Sequence, residues 1–248
     1  MIRECDPNLD IAMTTNGSLL SKYADELAKS GLNRVTVSID AIDDQLIREI
    51  SNSNVSSKKI IDGIIAAQNA GLKIKINTVI IKHFNEDQII PLVELFYRMR
   101  VVVRFIEYMD VGGTQNWNAN QVVFGDEIRE IIEQAFGRLT PVNDAQYGEV
   151  ANRWCFDDGY QIGFIESISK PFCKSCTRAR ISANGSIYTC LFSEHGHDLM
   201  SLIKMGADSD DLTDAIAAVW GKREDRYSEI RQNIAANSRP VQMHFIGG

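Results

Sequence analysis

Hydrophobic and polar positions in the first 110 residues fall into two alternating periods. Residues 11–17, 35–40, 73–81 and 101–109 are apolar or alternating runs of strand length, whereas 19–30, 43–50, 57–70 and 86–99 carry apolar positions at helical spacing. Gly31 and Gly71 stop two of the helices, and Pro91 lies near enough to the start of 86–99 to be tolerated. Strands that alternate with helices pair in parallel, because a parallel return needs a crossover long enough to hold a helix. The expectation is an α/β domain of four such strands, with 11–17 buried, closing as a barrel or lying as an open sheet.

In either architecture ligands gather at the carboxyl ends of the strands, here Thr14, Thr15 and Asn16, then Ser38 and Asp40, then Asn77 and Thr78, then Glu107 and Met109. Short polar residues at such ends more often cap the next helix, and a lone methionine is more often core. Lys75 and Arg104 differ. Each sits inside a strand expected to be buried, where an unpaired cation is costly, so each should face a polar lumen or an anion.

Beyond Met109 the pattern changes. Residues 110–120 form a polar loop rich in Gly and Asn, and its end marks a division into 1–122 and 123–248. A helix over 126–136 follows, then a hairpin of 153–156 and 160–165 around Asp157-Asp158-Gly159, and helices over 198–205 and 209–220, the last ended by Gly221. The charge run 222–227 is expected to be a solvated face. Residues 1–10 show no cap and no apolar period, and resemble the middle of a connection.

Between these elements lies the densest chemistry. Cys173 and Cys176 form a C-x-x-C, and Cys190 follows after a stretch in which Asn184-Gly185 signals a type I′ hairpin that returns it towards the pair. Three thiolates without a fourth allow structural zinc with His195 or His197 as fourth ligand, an iron–sulfur cluster with one open iron, or a redox or merely buried set of cysteines. Arg178 and Arg180 are alternate residues on an expected strand, so both guanidinium groups leave one face and suit an anionic ligand.

Composition narrows this little. The chain has five cysteines, too sparse and too clustered for a disulfide scaffold, and a formal net charge of −7 that argues against general nucleic-acid binding. With no run long enough to cross a bilayer and no signal peptide, the expected setting is cytoplasmic, with no membrane partner.

The stretches Thr14-Thr15-Asn16-Gly17, 37–43, 75–77, 104–109, 148–151, 172–180, 190–192 and the terminal Ile246-Gly247-Gly248 together resemble the radical S-adenosylmethionine GTP cyclases of molybdenum cofactor biosynthesis. The resemblance implies a truncated partial TIM-like (β/α) barrel followed by a C-terminal α+β region that binds cluster and substrate. It implies that Cys173, Cys176 and Cys190 hold a [4Fe–4S] cluster whose open iron meets the guanine ring. It further implies that Thr14, Lys75, Arg104, Arg178, Ala179 and Arg180 contact GTP, that Ser38 and Met109 contact S-adenosylmethionine, and that Gly247 and Gly248 reach the active site. An electron donor and a homodimer belong to the same expectation. The family's C-x-x-x-C-x-x-C loop, which holds a second [4Fe–4S] cluster, and its Gly-Gly-Glu-Pro stretch do not occur in these residues, so the chain as written is expected to bind GTP without turning it over. The competing expectation is a non-catalytic module that holds zinc.

Overall fold

The computed structural model describes residues 1–111, 117–144, 148–230 and 241–246, with the side chain of His244 left aside. These gather into two compact units, Met1–Tyr108 with Asn120–Ser169, and Met109–Ala119 with Lys170–Gly248. The stretch 123–169, grouped from the sequence with the C-terminal region, thus packs with the first unit. The reason is that its strands extend the first unit's sheet.

The first unit runs α1 (Ile2–Cys5), β1 (Ala12–Thr15), α2 (Leu20–Lys29), β2 (Arg34–Ser38), α3 (Asp44–Ser51), α4 (Ser57–Asn69), β3 (Lys73–Ile80), α5 (Ile89–Arg98), β4 (Val102–Glu107), α6 (Gly125–Phe136), β5 (Thr140–Pro141), β6 (Asn152–Cys155) and β7 (Gln161–Ile165). One seven-stranded sheet results, in the order β1-β2-β3-β4-β7-β6-β5. The strands β1, β2, β3, β4 and β7 are parallel, and β6 and β5 continue antiparallel. The sheet therefore has five parallel strands rather than the expected four. The fifth comes from 160–165, which the local hairpin signal had paired only with its neighbour. Among the described residues the sheet stays open.

One face of this sheet is apolar. Val37, Ile76, Ile80, Val103 and Ile162 are fully buried there against Ile64 of α4, Leu92 and Phe96 of α5, and Ile128 and Ile132 of α6. Each such side chain contributes about 2 kcal/mol by leaving water. Helix starts are anchored where the sequence places polar caps. Asp43 accepts from the N–H groups of Gln45 at 2.8 Å and Leu46 at 2.9 Å, and Ser56 accepts from Lys59 at 3.3 Å. The expected buried strand 11–17 is instead the four-residue β1, with alternate residues exposed. It pairs only with β2 among the described residues, so its other edge has no strand to cover it.

The second unit holds β8 (Arg180–Ile181), β9 (Ser186–Tyr188), β10 (His197–Asp198), α7 (Met200–Lys204), α8 (Ser209–Gly221) and α9 (Tyr227–Ile230). Its sheet is antiparallel in the order β10-β9-β8. The turn at Asn184-Gly185 is not type I′. Only Gly185 has a positive φ, of 81°, and the loop closes through Gly185 N–H to the Ser182 carbonyl and Ser182 N–H to the Ser186 carbonyl. This is the three-residue loop with a bulged glycine. The Ser182 hydroxyl favours it by accepting from the Ser186 N–H at 3.2 Å. Phe156 to Tyr160 makes the same loop around Gly159. Gly221 is the last residue of α8, so the helix ends there as expected.

Candidate functional site

The sheet face opposite the apolar one carries polar side chains in register. Thr14 of β1 stands beside Thr36 of β2, and Thr36 beside Lys75 of β3. The next row runs Ser38, Asn77, Arg104, Gly163 and Arg153 across β2, β3, β4, β7 and β6. Arg104 donates to the Asn77 side-chain oxygen at 2.9 Å and to the Thr36 hydroxyl at 3.3 Å. Its stem needs the glycine beside it, because a β-carbon on Gly163 would stand 3.1 Å from Arg104 Cγ. Burial lowers the Lys75 ammonium below its ordinary pKa, and the charges of Arg104, Arg34 and Arg153 lower it further against the pull of Glu149. Arg153 is itself paired with Glu149 at 3.0 Å and Asp144 at 2.5 Å. Lys75 and Arg104 thus lie side by side on a polar surface that gains from an anion.

Ser38 opens on a cavity of about 60 Å³, lined also by Asn16, Asp40, Ile47, Ile50 and Val55. That is room for part of a ligand, far below a whole nucleotide pocket. Asp40 accepts from the Val79 N–H at 2.7 Å, yet burial outweighs this and pushes its carboxyl up to about 6. Other strand ends serve the fold. The Thr78 hydroxyl donates to the Ile39 carbonyl at 2.7 Å, while Thr15 and Asn16 accept N–H groups of their own turn. Glu107 is buried and accepts from the N–H of Gly125 at 2.9 Å, of Ile168 and Ser169 at 2.8 Å, and from the Ser169 hydroxyl at 2.5 Å. It ties the start of α6 to the segment after β7.

In the second unit the three cysteines are free and half-buried. Cys173 and Cys176 bracket a 3₁₀ turn over Cys173–Ser175, closed by Cys176 N–H to the Cys173 carbonyl at 3.2 Å. Cys190 lies close enough for the Cys173 charge to act on it, and burial holds its thiol above the ordinary value. Burial also raises Cys176, but hydrogen bonds from the Arg178 N–H and from Arg223, with both guanidinium charges, leave it lower than usual. Arg180 is depressed by burial and interacts with Cys190, Arg178 and Cys176. Arg178 sits over the Phe172 ring at 5.8 Å, in irregular backbone ahead of β8, so the two arginines do not share a strand face as expected. Ala179 lies between them, and exposed His195 and His197 lie past Cys190. Met109 opens this unit, and Gly247 and Gly248 lie outside the described residues.

Among the described residues no three His, Cys, Asp or Glu side chains converge on a single ion. By its chemistry the donor set of three thiolates suits either a cluster with one open iron or zinc completed by a fourth ligand. The residue that sequence reasoning missed is Arg223. It was expected on a solvated face, but its side chain is 12% exposed and donates to the Cys176 carbonyl at 2.5 Å.

The radical SAM superfamily matches residues 1–96, and the Molybdenum Cofactor Synthesis C family matches 101–229. The structure of Streptococcus suis SuiB bound to S-adenosylmethionine shares the fold with a TM-score of 0.51 and 18% identity, over 96% of this chain and 54% of that one. The chain thus carries a radical SAM region followed by a Molybdenum Cofactor Synthesis C region, on a fold shared with that structure. The GTP 3′,8-cyclase of Staphylococcus aureus strain Mu3 is 42% identical over 252 aligned residues, covering all of this chain and 74% of the relative. That of Staphylococcus epidermidis strain ATCC 12228 is 43% identical over 244, covering 96% and 72%. The chain belongs to the GTP 3′,8-cyclase family.

Proposed function

We propose that this chain holds GTP and a [4Fe–4S] cluster for the 3′,8-cyclisation of GTP in molybdenum cofactor biosynthesis. The observation that carries this is the second unit's set of three free thiols surrounded by arginines, in a chain of this family. Cys173, Cys176 and Cys190 would hold the cluster and leave one iron without a protein ligand, open to the guanine ring. Arg178 and Arg180, with the Ala179 backbone between them, bind the substrate at that cluster. Within the first unit, Lys75, Arg104 and Thr14 are assigned as further GTP contacts on its polar sheet face. Gly247 and Gly248 are assigned to the active-site tail.

Ser38 and Met109 contact S-adenosylmethionine, with part of the cofactor in the recess beside Asp40. When bound and reduced by an external one-electron donor, the family's cofactor set supplies the radical that removes a hydrogen from the ribose. This chain's residues hold the nucleotide so that ribose C3′ and guanine C8 face each other, and exclude water from them.

The test is anaerobic loading with iron and sulfide, followed by electron paramagnetic resonance of the reduced protein with and without GTP. Iron with acid-labile sulfide, and a spectrum that changes when GTP is added, is the expected result. Stoichiometric zinc in anaerobically purified protein, or a cluster spectrum indifferent to GTP, would overturn the assignment.

A further inference from the structure

We infer that residues 223–227 form a strap that holds the two cysteine-bearing loops together, with Arg223 and Tyr227 as its positioning residues. The inference rests on the cluster assignment above and adds residues to it. Between α8 and α9 the backbone is irregular, and exposure alternates: Lys222, Glu224 and Arg226 face solvent, whereas Arg223, Asp225 and Tyr227 are drawn inward. The inward three reach both sides of the thiol set. Arg223 donates to the Cys176 carbonyl at 2.5 Å and is braced by Asp225 at 3.4 Å, with its guanidinium over the Trp220 ring at 4.8 Å. Tyr227 stacks on Phe192 with ring centroids 4.2 Å apart and planes 9° from parallel, and its hydroxyl donates to Asp110 at 2.8 Å.

Phe192 follows Cys190 by two residues, and its N–H points to the Cys190 sulfur at 3.5 Å. One five-residue segment therefore grips the C-x-x-C loop at one end and the Cys190 loop at the other. The two loops are also joined through the short β8–β9 hairpin, in which two residue pairs are in register. Two separate loops that must present three sulfurs at fixed spacing gain from such a brace, and partners behind the ligands commonly govern how firmly a metal group is held. The planar fork of Arg223 also brings a permanent cation beside the Cys176 ligand.

The experiment loads the 248-residue chain and its variants anaerobically with iron and sulfide. Cluster loss to a chelator is followed by visible absorbance, alongside a redox titration. Arg223→Gln is expected to speed the loss about 10- to 100-fold and to lower the midpoint potential, since a charge that favours the added electron is gone. Arg223→Lys keeps the potential close to wild type but still loses the cluster faster, because the fork is gone. Tyr227→Leu speeds the loss and leaves the potential unchanged, and it keeps the inference testable should Arg223→Gln fail to fold. Variants that hold the cluster as long as wild type, at the wild-type potential, would overturn the strap alone. A wild-type chain that takes up no iron would overturn the strap and the cluster assignment together.

Discussion

Replacing Asp40 with asparagine should stabilise the protein above pH 6 and leave it unchanged near pH 4. The carboxylate lies just past β2 and accepts one backbone N–H, from Val79 at 2.7 Å. Burial outweighs that bond and moves its pKa from 3.8 to about 6. Between those values the folded chain keeps a proton that the unfolded chain has released, so stability falls as pH rises through the window and the loss is complete above the folded pKa. A shift of about two units corresponds to about 3 kcal/mol at most. Asparagine has the same shape, keeps an oxygen for Val79, and carries no charge to desolvate. Its added amide hydrogens have the cavity beside Asn16 and Ser38 in which to meet water. A gain of about 1 to 3 kcal/mol at pH 7.5 is expected, vanishing towards pH 4. Urea unfolding followed by circular dichroism from pH 4 to 8 measures it, and the difference between the two proteins cancels every group that titrates alike in both. An Asp40→Asn protein no more stable than wild type at pH 7.5, or a difference curve flat across the window, would refute the reasoning.

Three further outcomes follow from the sites. Alanine at both Arg178 and Arg180 should weaken GTP binding to the cluster-loaded protein by about 3 kcal/mol, the scale of truncated charge-assisted contacts; calorimetry showing unchanged affinity in a folded double variant would sink the assignment. Lys75→Met should weaken GTP binding while raising the urea midpoint at neutral pH, because it removes a half-buried ammonium beside Arg104. Wild-type stability should also rise with pH as the ordinary lysine value is approached, since the unfolded chain then binds the extra proton, and the variant should lack that rise. Glu107→Ala leaves three N–H groups and a hydroxyl without their acceptor. It should cost about 3 to 5 kcal/mol, and a loss below about 1 kcal/mol in urea unfolding would show that water replaces the carboxylate.

Much of this protein can be read from local pattern. The β-branched alternation of 73–80 and 102–107 sets which residues turn inward, because a strand's period of two leaves no choice once one face is apolar. The caps at Asp43 and Ser56 mark helix starts for the same local reason. Lys75 and Arg104 stand out in the sequence because a cation inside an apolar strand demands an explanation, and the C-x-x-C with a later cysteine raises the expectation of a metal group by spacing. What the chain alone did not reveal depends on contacts between distant residues. That 161–165 also joins β4 in parallel is decided by the packing of Ile162 and Phe164 into the common core, which adds a second partner to the hairpin pairing visible locally. That Glu107 organises a loop depends on backbone N–H groups about 60 positions away, which no pattern marks. Arg223 looks like any member of a charge run, and only tertiary packing brings it to a cysteine 47 residues earlier, where desolvation and a carbonyl partner give one arginine a role that its neighbours lack.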